Sequence, residues 1–185
     1  MKAVFLDRDG VINKKPPEGK YVTTWDEFKF LRNAIKAIGY LNKLGFLVIV
    51  VTNQRGVTLG HLAEEKLKEI HQRMRNKLTS CGAHIDGIYY CPHNKNTCSC
   101  RKPKVGLFLK AKKDFPEIDF KNSFVVGDSE KDIRAGKRLG CKTILITKDS
   151  KRFKLPENMT PDFITNSLWQ AYTKIRTLIR KNNNK

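Results

Sequence analysis

The sequence predicts a three-layer α/β fold: a Rossmann-like parallel sheet with helices on both faces. Three observations predict it. Short apolar runs alternate with amphipathic stretches along the chain, as strands joined by helical crossovers do. The runs are apolar throughout, which marks strands covered on both faces. Three polar clusters follow directly on three of those runs, where an open parallel sheet binds its ligands.

The elements follow in order. Ala3 to Leu6 is a strand that stops at Asp7-Arg8-Asp9-Gly10. Asn33 to Leu44 reads as a helix, with Ile35, Ile38 and Leu41 on one side and Gly45 at its stop. Phe46 to Val51 is a strand that runs into Thr52-Asn53. Leu62 to Leu78 is a helix, because Leu67, Ile70, Met74 and Leu78 recur every three or four residues. Then come a strand at Ile88 to Tyr90, a helix at Gly106 to Phe115 and a strand at Ser123 to Val126 ending in Gly127-Asp128. A helix at Lys131 to Leu139, a strand at Thr143 to Ile146 and a short strand at Asp162 to Ile164 complete the sheet, and Ser167 caps a last helix. Residues 1–175 are expected to form one domain, with 176–185 a basic, disordered tail.

The chain of 185 residues carries 37 Lys+Arg against 18 Asp+Glu, a net charge of +19. That excess favours phosphorylated or polyanionic partners, nucleic acid among them, and says nothing of fold. Aromatic residues are not interleaved with basic ones in the pattern on which single strands stack, so nucleic acid is not favoured. No apolar run nears the length of a membrane span, and the N-terminus lacks a secretory h-region; a monomeric cytoplasmic protein is expected.

Asp7 and Asp9 place two carboxylates at the mouth of the first strand. Such charges repel unless a cation lies between them, and hard oxygen ligands suit Mg²⁺; the alternative is an Asx-type turn. Asp128 could complete that site or cap the following helix, and Asp132 could hold the loop or the outer sphere of the metal. Thr52 and the N–H groups after it could donate to a phosphoryl oxygen, or cap a turn, and Gly56 would let that loop turn sharply.

Cys91-Pro-His93 and Cys98-Ser-Cys100 supply the Cys₃His set of a closed, structural tetrahedral zinc site, which adds a small zinc-binding loop to the fold. Arg101 and Lys102 leave that loop directly, so a pinned loop would aim two phosphate-gripping cations. Lys14, Lys15, Lys20 and Arg55 lie in loops expected at the site mouth, a cluster suited to a second phosphate and repellent to an amine. Cys81 and Cys141 are expected in apolar surroundings, and His61, His71 and His84 on the surface or a helix face.

The strings FLDRDGVIN, VVTNQRG, CPHNKNTCSCRKP and VVGDSEKD, in this order and at about these separations, resemble the haloacid dehalogenase superfamily of phosphatases. More narrowly they resemble its D-glycero-D-manno-heptose 1,7-bisphosphate phosphatase branch, which includes histidinol-phosphate phosphatase domains. The resemblance runs from residue 3 to about 170. It implies that Asp7 is the nucleophile and Asp9 the general acid and base. It implies Mg²⁺ on Asp7, the Asp9 carbonyl and Asp128. Thr52 and Lys102 would bind the transferring phosphate, and Arg101 the substrate. Substrate contacts are implied further for Asn53, Gln54 and Arg55, and for Glu18, Gly19, Lys20 and Tyr21. Ser129 stands where the family commonly has Lys. The implied reaction is release of the 7-phosphate of a small phosphorylated sugar, D-glycero-D-manno-heptose 1,7-bisphosphate. The alternatives are a histidinol-phosphate phosphatase, a nucleic-acid 3′-phosphatase, and a zinc-stabilised nucleic-acid-binding protein without catalysis.

Overall fold

In the computed structural model, which describes residues 1–149 and 156–183, six strands make one sheet and every neighbouring pair is parallel. The strands are β1 (Ala3–Leu6), β2 (Leu47–Asn53), β3 (Gly87–Cys91), β4 (Phe124–Gly127), β5 (Lys142–Ile146) and β6 (Phe163–Thr165), in the spatial order β3-β2-β1-β4-β5-β6. The helices are α1 (Ala34–Lys43), α2 (Glu64–Thr79), α3 (Gly106–Asp114), α4 (Glu130–Leu139) and α5 (Leu168–Asn183). Chain order runs outward from β1 to β3 and then returns to β4 on the other side, so the loops after β1 and β4 part at the switch point.

Alternation along each strand divides the core between the two faces. Val4, Leu6, Val48, Val50 and Val126 pack with α1, α2 and α5 through Ile38, Leu41, Leu67, Met74, Ala171 and Ile175. Ala3, Phe5, Ile49, Val51 and Val125 pack with α3 and α4 through Leu107, Phe108, Ala111 and Ala135. Phe5 meets Phe108 edge-on at 5.1 Å between centroids. Register pairs Val4 with Val48 on one side and with Phe124 on the other, so β1 lies at the centre with all four residues buried.

The structure departs from the sequence expectations at element ends. β2 continues through Thr52 and Asn53, which pair with Tyr90 and Cys91. The polar residues belong to the strand because β3 offers hydrogen-bond partners that far along. Helix α5 runs to Asn183, past the boundary at residue 175. Leu178 and Ile179 extend its apolar stripe onto the core, so the helix has a reason to continue. The last two residues of the expected tail, Asn184 and Lys185, lie outside the described residues. His71 is buried on α2 instead of lying on a surface. Cys81 is exposed, whereas Cys141 is buried. Among the described residues, no helix is long and apolar enough to cross a membrane.

Candidate active site

The turn after β1 is wound tightly: the Arg8 carbonyl accepts hydrogen bonds from the amides of Val11, Ile12 and Asn13 at 3.3, 2.9 and 3.1 Å. Gly10 turns through φ 89°, and a Cβ there would lie 2.2 Å from Asp128 Oδ2. Only glycine lets the first loop approach the carboxylate that follows β4 so closely.

That approach gathers three carboxylates. Oxygens of Asp7, Asp128 and Asp132 lie within 4.8 Å of one another. Lys102 reaches in from the other side, its Nζ 3.0 Å from Asp7 Oδ1 and 2.6 Å from Asp132 Oδ1, and it donates to the Val51 carbonyl at 2.6 Å. Burial would lower the Lys102 ammonium, but Asp132 and Asp7 outweigh it and hold the group above the ordinary lysine value. Burial pushes the Asp7 carboxyl up to about 7; Lys102 opposes this, while Asp132, Asp128 and Asp9 add to it. One ammonium among three carboxylates leaves the cluster under-neutralised, and Lys15 supplies part of the deficit by placing its Nζ 2.7 Å from Asp128 Oδ2.

The oxygens differ in what already occupies them. Asp132 Oδ2 accepts from the Ser129 amide at 3.1 Å and its hydroxyl at 2.5 Å, closing a capping box on α4 while Oδ1 faces Lys102. Ser129, at the position where the family resemblance implies a lysine, is thus a helix cap. Asp7 Oδ1 accepts from the Arg8 amide at 2.7 Å. The donor set with room for a hard divalent ion is therefore Asp7 Oδ2 with Asp128, where a lysine ammonium already stands in for a cation. Three carboxylate groups and a cation-seeking charge balance fit such an ion.

Asp9 corrects one expectation. Its carboxylate does not share a cation with that of Asp7, because Arg8 takes it. Arg8 Nη2 lies 3.0 Å from both Asp9 oxygens and Nε 3.2 Å from Oδ1, with Asn13 Nδ2 at 2.8 Å and Gln54 Nε2 at 3.0 Å. Burial would raise the Asp9 carboxyl, but the Arg8 guanidinium and these donors hold it below the ordinary carboxylate value. Arg8 is fully buried over the Phe28 ring, its Nη1 3.1 Å from His71 Nε2. Burial, then Arg8, drive the His71 ring down to about 3, so it is a neutral acceptor. The sequence reading missed both residues. The signal available was an arginine between two strand-end aspartates, which has to be buried if both aspartates face the site.

The loop after β2 is clamped to the loop after the Cys/His cluster. Asn53 accepts from the Lys102 amide at 3.0 Å and donates to the Lys102 carbonyl at 3.2 Å. Gln54 Nε2 also donates to Thr52 Oγ1 at 3.0 Å, and Thr52 and Gln54 are buried. Arg55 is half-buried at the mouth, and Lys14, Lys15, Glu18, Gly19 and Lys20 are exposed. Tyr21 stacks on His61 at 5.4 Å. Gly56 is needed for room rather than for a sharp turn: a Cβ there would lie 2.8 Å from the Tyr21 ring.

Cys91 Sγ, His93 Nδ1, Cys98 Sγ and Cys100 Sγ also converge. Cys100 Sγ lies 3.1 Å from Cys91 Sγ, 3.2 Å from Cys98 Sγ and 3.2 Å from His93 Nδ1, and Cys91 Sγ to Cys98 Sγ is 3.5 Å. Against burial, the hydrogen bond with Cys100 pulls the Cys98 thiol down to about 6, while burial pushes Cys91 and Cys100 up. The arrangement approaches the four corners of a small tetrahedron, and a Cys₃His donor set suits a soft, four-coordinate ion. Arg101 leaves this loop and donates from Nη1 to the His93 carbonyl at 3.3 Å, folding back on it, while Lys102 goes inward to the carboxylates.

Residues 99–171 match the HAD-hydrolase-like family model. The chain is similar to the D-glycero-β-D-manno-heptose-1,7-bisphosphate 7-phosphatase of Vibrio cholerae, 40% identical over 157 residues that cover 80% of this chain and 82% of that protein. It is also similar to the enzyme of the same name from Haemophilus ducreyi, 37% identical over 175 residues covering 90% and 94%. Among solved structures it matches the D,D-heptose 1,7-bisphosphate phosphatase from B. bronchiseptica complexed with magnesium and phosphate. The TM-score is 0.85 at 30% identity, over 96% of this chain and 99% of that one. With the switch-point carboxylates and the buried lysine in place, and relatives of this identity spanning most of both chains, the protein belongs to the D-glycero-β-D-manno-heptose-1,7-bisphosphate 7-phosphatase family of HAD-like hydrolases.

Proposed function

We propose that this chain releases the 7-phosphate of D-glycero-D-manno-heptose 1,7-bisphosphate by way of an aspartyl-phosphate. The single observation that carries the reading is the Asp7–Lys102–Asp132 arrangement beside Asp128, a nucleophilic carboxylate held among fixed charges at the end of the central strand. It is supported by the names of the relatives at 37% and 40% identity.

The Asp7 carboxylate attacks phosphorus as the bond from phosphorus to the sugar oxygen breaks, and Asp9 gives that oxygen its proton. Asp9 then takes a proton from water, which attacks the aspartyl-phosphate, frees inorganic phosphate and regenerates Asp7. A dianionic phosphate entering beside Asp9 opposes its ionisation, which lets a carboxyl otherwise held low by Arg8 carry the proton. Lys102, Thr52 and the amides after β2 neutralise the equatorial oxygens. A magnesium ion on Asp7, Asp128 and the Asp9 carbonyl would screen the carboxylate from the incoming phosphate. The neighbour that holds magnesium and phosphate supports that choice of ion. A structural zinc on Cys91, His93, Cys98 and Cys100 would fix the loop that carries Arg101 and Lys102. Arg101, Arg55 and the loop of Glu18, Gly19, Lys20 and Tyr21 would meet the sugar and its second phosphate. We place the enzyme in the cytoplasm as a monomer, its cluster thiols kept reduced there.

Phosphate release from heptose 1,7-bisphosphate, histidinol phosphate and 3′-phosphorylated oligonucleotides, with Mg²⁺ present, tests the reading. The highest kcat/KM is expected on the heptose bisphosphate. A higher value on either other substrate overturns it.

A further inference from the structure

The net charge of +19 is far more than one phosphatase site uses, and its distribution is uneven. Neither residues 28–63 nor residues 163–185 contain a single Asp or Glu, although the chain has 18. The first stretch includes α1 and the second includes α5, and these two helices pack side by side on one face of the sheet. Together the two helices carry Lys36, Lys43, Lys174, Arg176, Arg180 and Lys181 with no opposing acid. By contrast α2, on the same face of the sheet, mixes its signs and pairs Lys68 with Glu64 and Arg73 with Glu69.

The same two helices also assemble aromatic rings that are far apart in sequence. Tyr40 of α1 stacks on Tyr172 of α5 at 5.3 Å and 21°, and meets Trp169 edge-on at 5.7 Å; Trp169 lies 5.3 Å from Tyr172. Tyr172 is buried, so it anchors the group, while Tyr40 is 42% exposed and Trp169 is half-buried. Cations surround the rings: Lys43 Nζ is 5.3 Å from the Tyr40 centroid and Arg176 Cζ 5.8 Å from that of Tyr172. Lys174 Nζ is 4.5 Å from the Phe163 ring of β6. Beside Trp169 a cleft of about 510 Å³ opens, lined by Thr165, Gln170, Thr173, Lys174 and Thr177. Hydroxyls, an amide and an ammonium there offer hydrogen-bond donors and acceptors around one aromatic wall.

We propose that the α1–α5 face is a binding surface for single-stranded nucleic acid. A base would lie against Trp169 in the cleft, and the flanking phosphates would fall to Lys43, Lys174 and Arg176. Charge complementarity decides the occupant. A face built on two helices without an acid attracts a polyanion, and the exposed Tyr40 and half-buried Trp169 rings among the cations add the stacking that a strand of bases uses and a phosphate or a lipid headgroup does not. The linear sequence hides the motif, since Tyr40 and Trp169 are brought together only by helix packing. This surface stands apart from the phosphatase reading and does not depend on it.

The test is fluorescence anisotropy with a labelled single-stranded RNA or DNA oligonucleotide across a range of salt. Binding is expected near physiological salt and should weaken as salt rises. Trp169→Ala should lower affinity roughly tenfold, with phosphatase turnover and far-ultraviolet circular dichroism unchanged. Lys174→Glu with Arg176→Glu on α5 should abolish binding, whereas Lys110→Glu with Lys113→Glu on α3, an equal change in net charge, should not. Equal loss from both pairs would mean general polyelectrolyte attraction and would overturn the proposal. So would an affinity indifferent to Trp169→Ala, or no binding at physiological salt. Sedimentation closes the remaining route: dimerisation through Trp169 without oligonucleotide binding would identify a second copy as the occupant and also overturn it.

Discussion

Lys102 Nζ stands 2.6 Å from Asp132 Oδ1, a buried ammonium held by a buried carboxylate that itself caps the first turn of α4. The pair ties the loop after the Cys/His cluster to the helix after β4, and it aims the ammonium at Asp7. Asp132 is therefore a positioning residue. Asp132→Asn keeps an acceptor for the Ser129 amide but removes one of the two charges that fix Lys102. Turnover is expected to fall by about tenfold to a hundredfold, since preorganised charge at a transferring phosphoryl group carries effects of this size. Steady-state kinetics beside a thermal melt check it; undiminished kcat with a native melt would refute the positioning role.

Asp7→Asn keeps the size of the side chain and removes the charge proposed to attack phosphorus. It also relieves repulsion with Asp128 and Asp132, so folding should hold or gain while turnover drops by roughly three orders of magnitude or more. Phosphate release and denaturant unfolding measure the two effects separately. A loss of less than about tenfold would mean that another group attacks.

Cys100 Sγ is the member of the Cys/His cluster nearest to the other sulfurs, at 3.1 and 3.2 Å. Cys100→Ser should release the zinc proposed for this cluster and raise KM or lower kcat, because Arg101 and Lys102 follow it directly. Arg101→Ala should reproduce much of the kinetic loss with zinc retained. Elemental analysis of both proteins decides. A wild type that holds no zinc yet turns over normally would remove the structural role assigned to the cluster.

Asp162 ties β5 to the segment entering β6, its Oδ2 accepting from the Thr143 amide at 2.6 Å and the Thr143 hydroxyl at 2.7 Å, while Oδ1 meets Lys137 at 2.7 Å. Burial would raise this carboxyl, but Lys137 and Thr143 hold it below the ordinary value. A carboxyl lowered on folding stabilises the protein above its unfolded value near 3.8, and that contribution is lost as pH falls through the folded value. Asp162→Asn should therefore cost on the order of 1 kcal/mol at neutral pH, kept small by solvent screening of a partly exposed pair. The difference from wild type should shrink as pH falls below 3.8. Urea unfolding at pH 7 and pH 3 shows it, and a difference undiminished at pH 3 would contradict the charge argument.

Much of the site was legible because its parts are contiguous. A strand that ends in Asp7-Arg8-Asp9-Gly10 can be read locally, since apolar β1 must be buried and the charges after it must face solvent or one another. The Cys/His cluster was legible for the same reason: its four donors lie within ten residues of chain. Strand order was only partly legible. Alternation implies parallel crossovers, and the order β3-β2-β1-β4-β5-β6 emerges only once every apolar face finds its layer.

By itself the sequence determined the layers, the parallel sheet, the carboxylates after β1 and β4, and the Cys/His cluster, because each follows from residues that are neighbours along the chain. Tertiary structure alone decided what those groups do to one another. It turned the Asp9 carboxylate onto Arg8 and buried His71 behind that guanidinium. It set Lys102 between Asp7 and Asp132, made Ser129 a cap, and ran α5 on to Asn183. It also brought Tyr40 against Trp169 across 129 positions of sequence. The physical reason is common to these cases: burial, opposing charge and ring packing act through space over a few ångströms, and only the folded chain sets those distances.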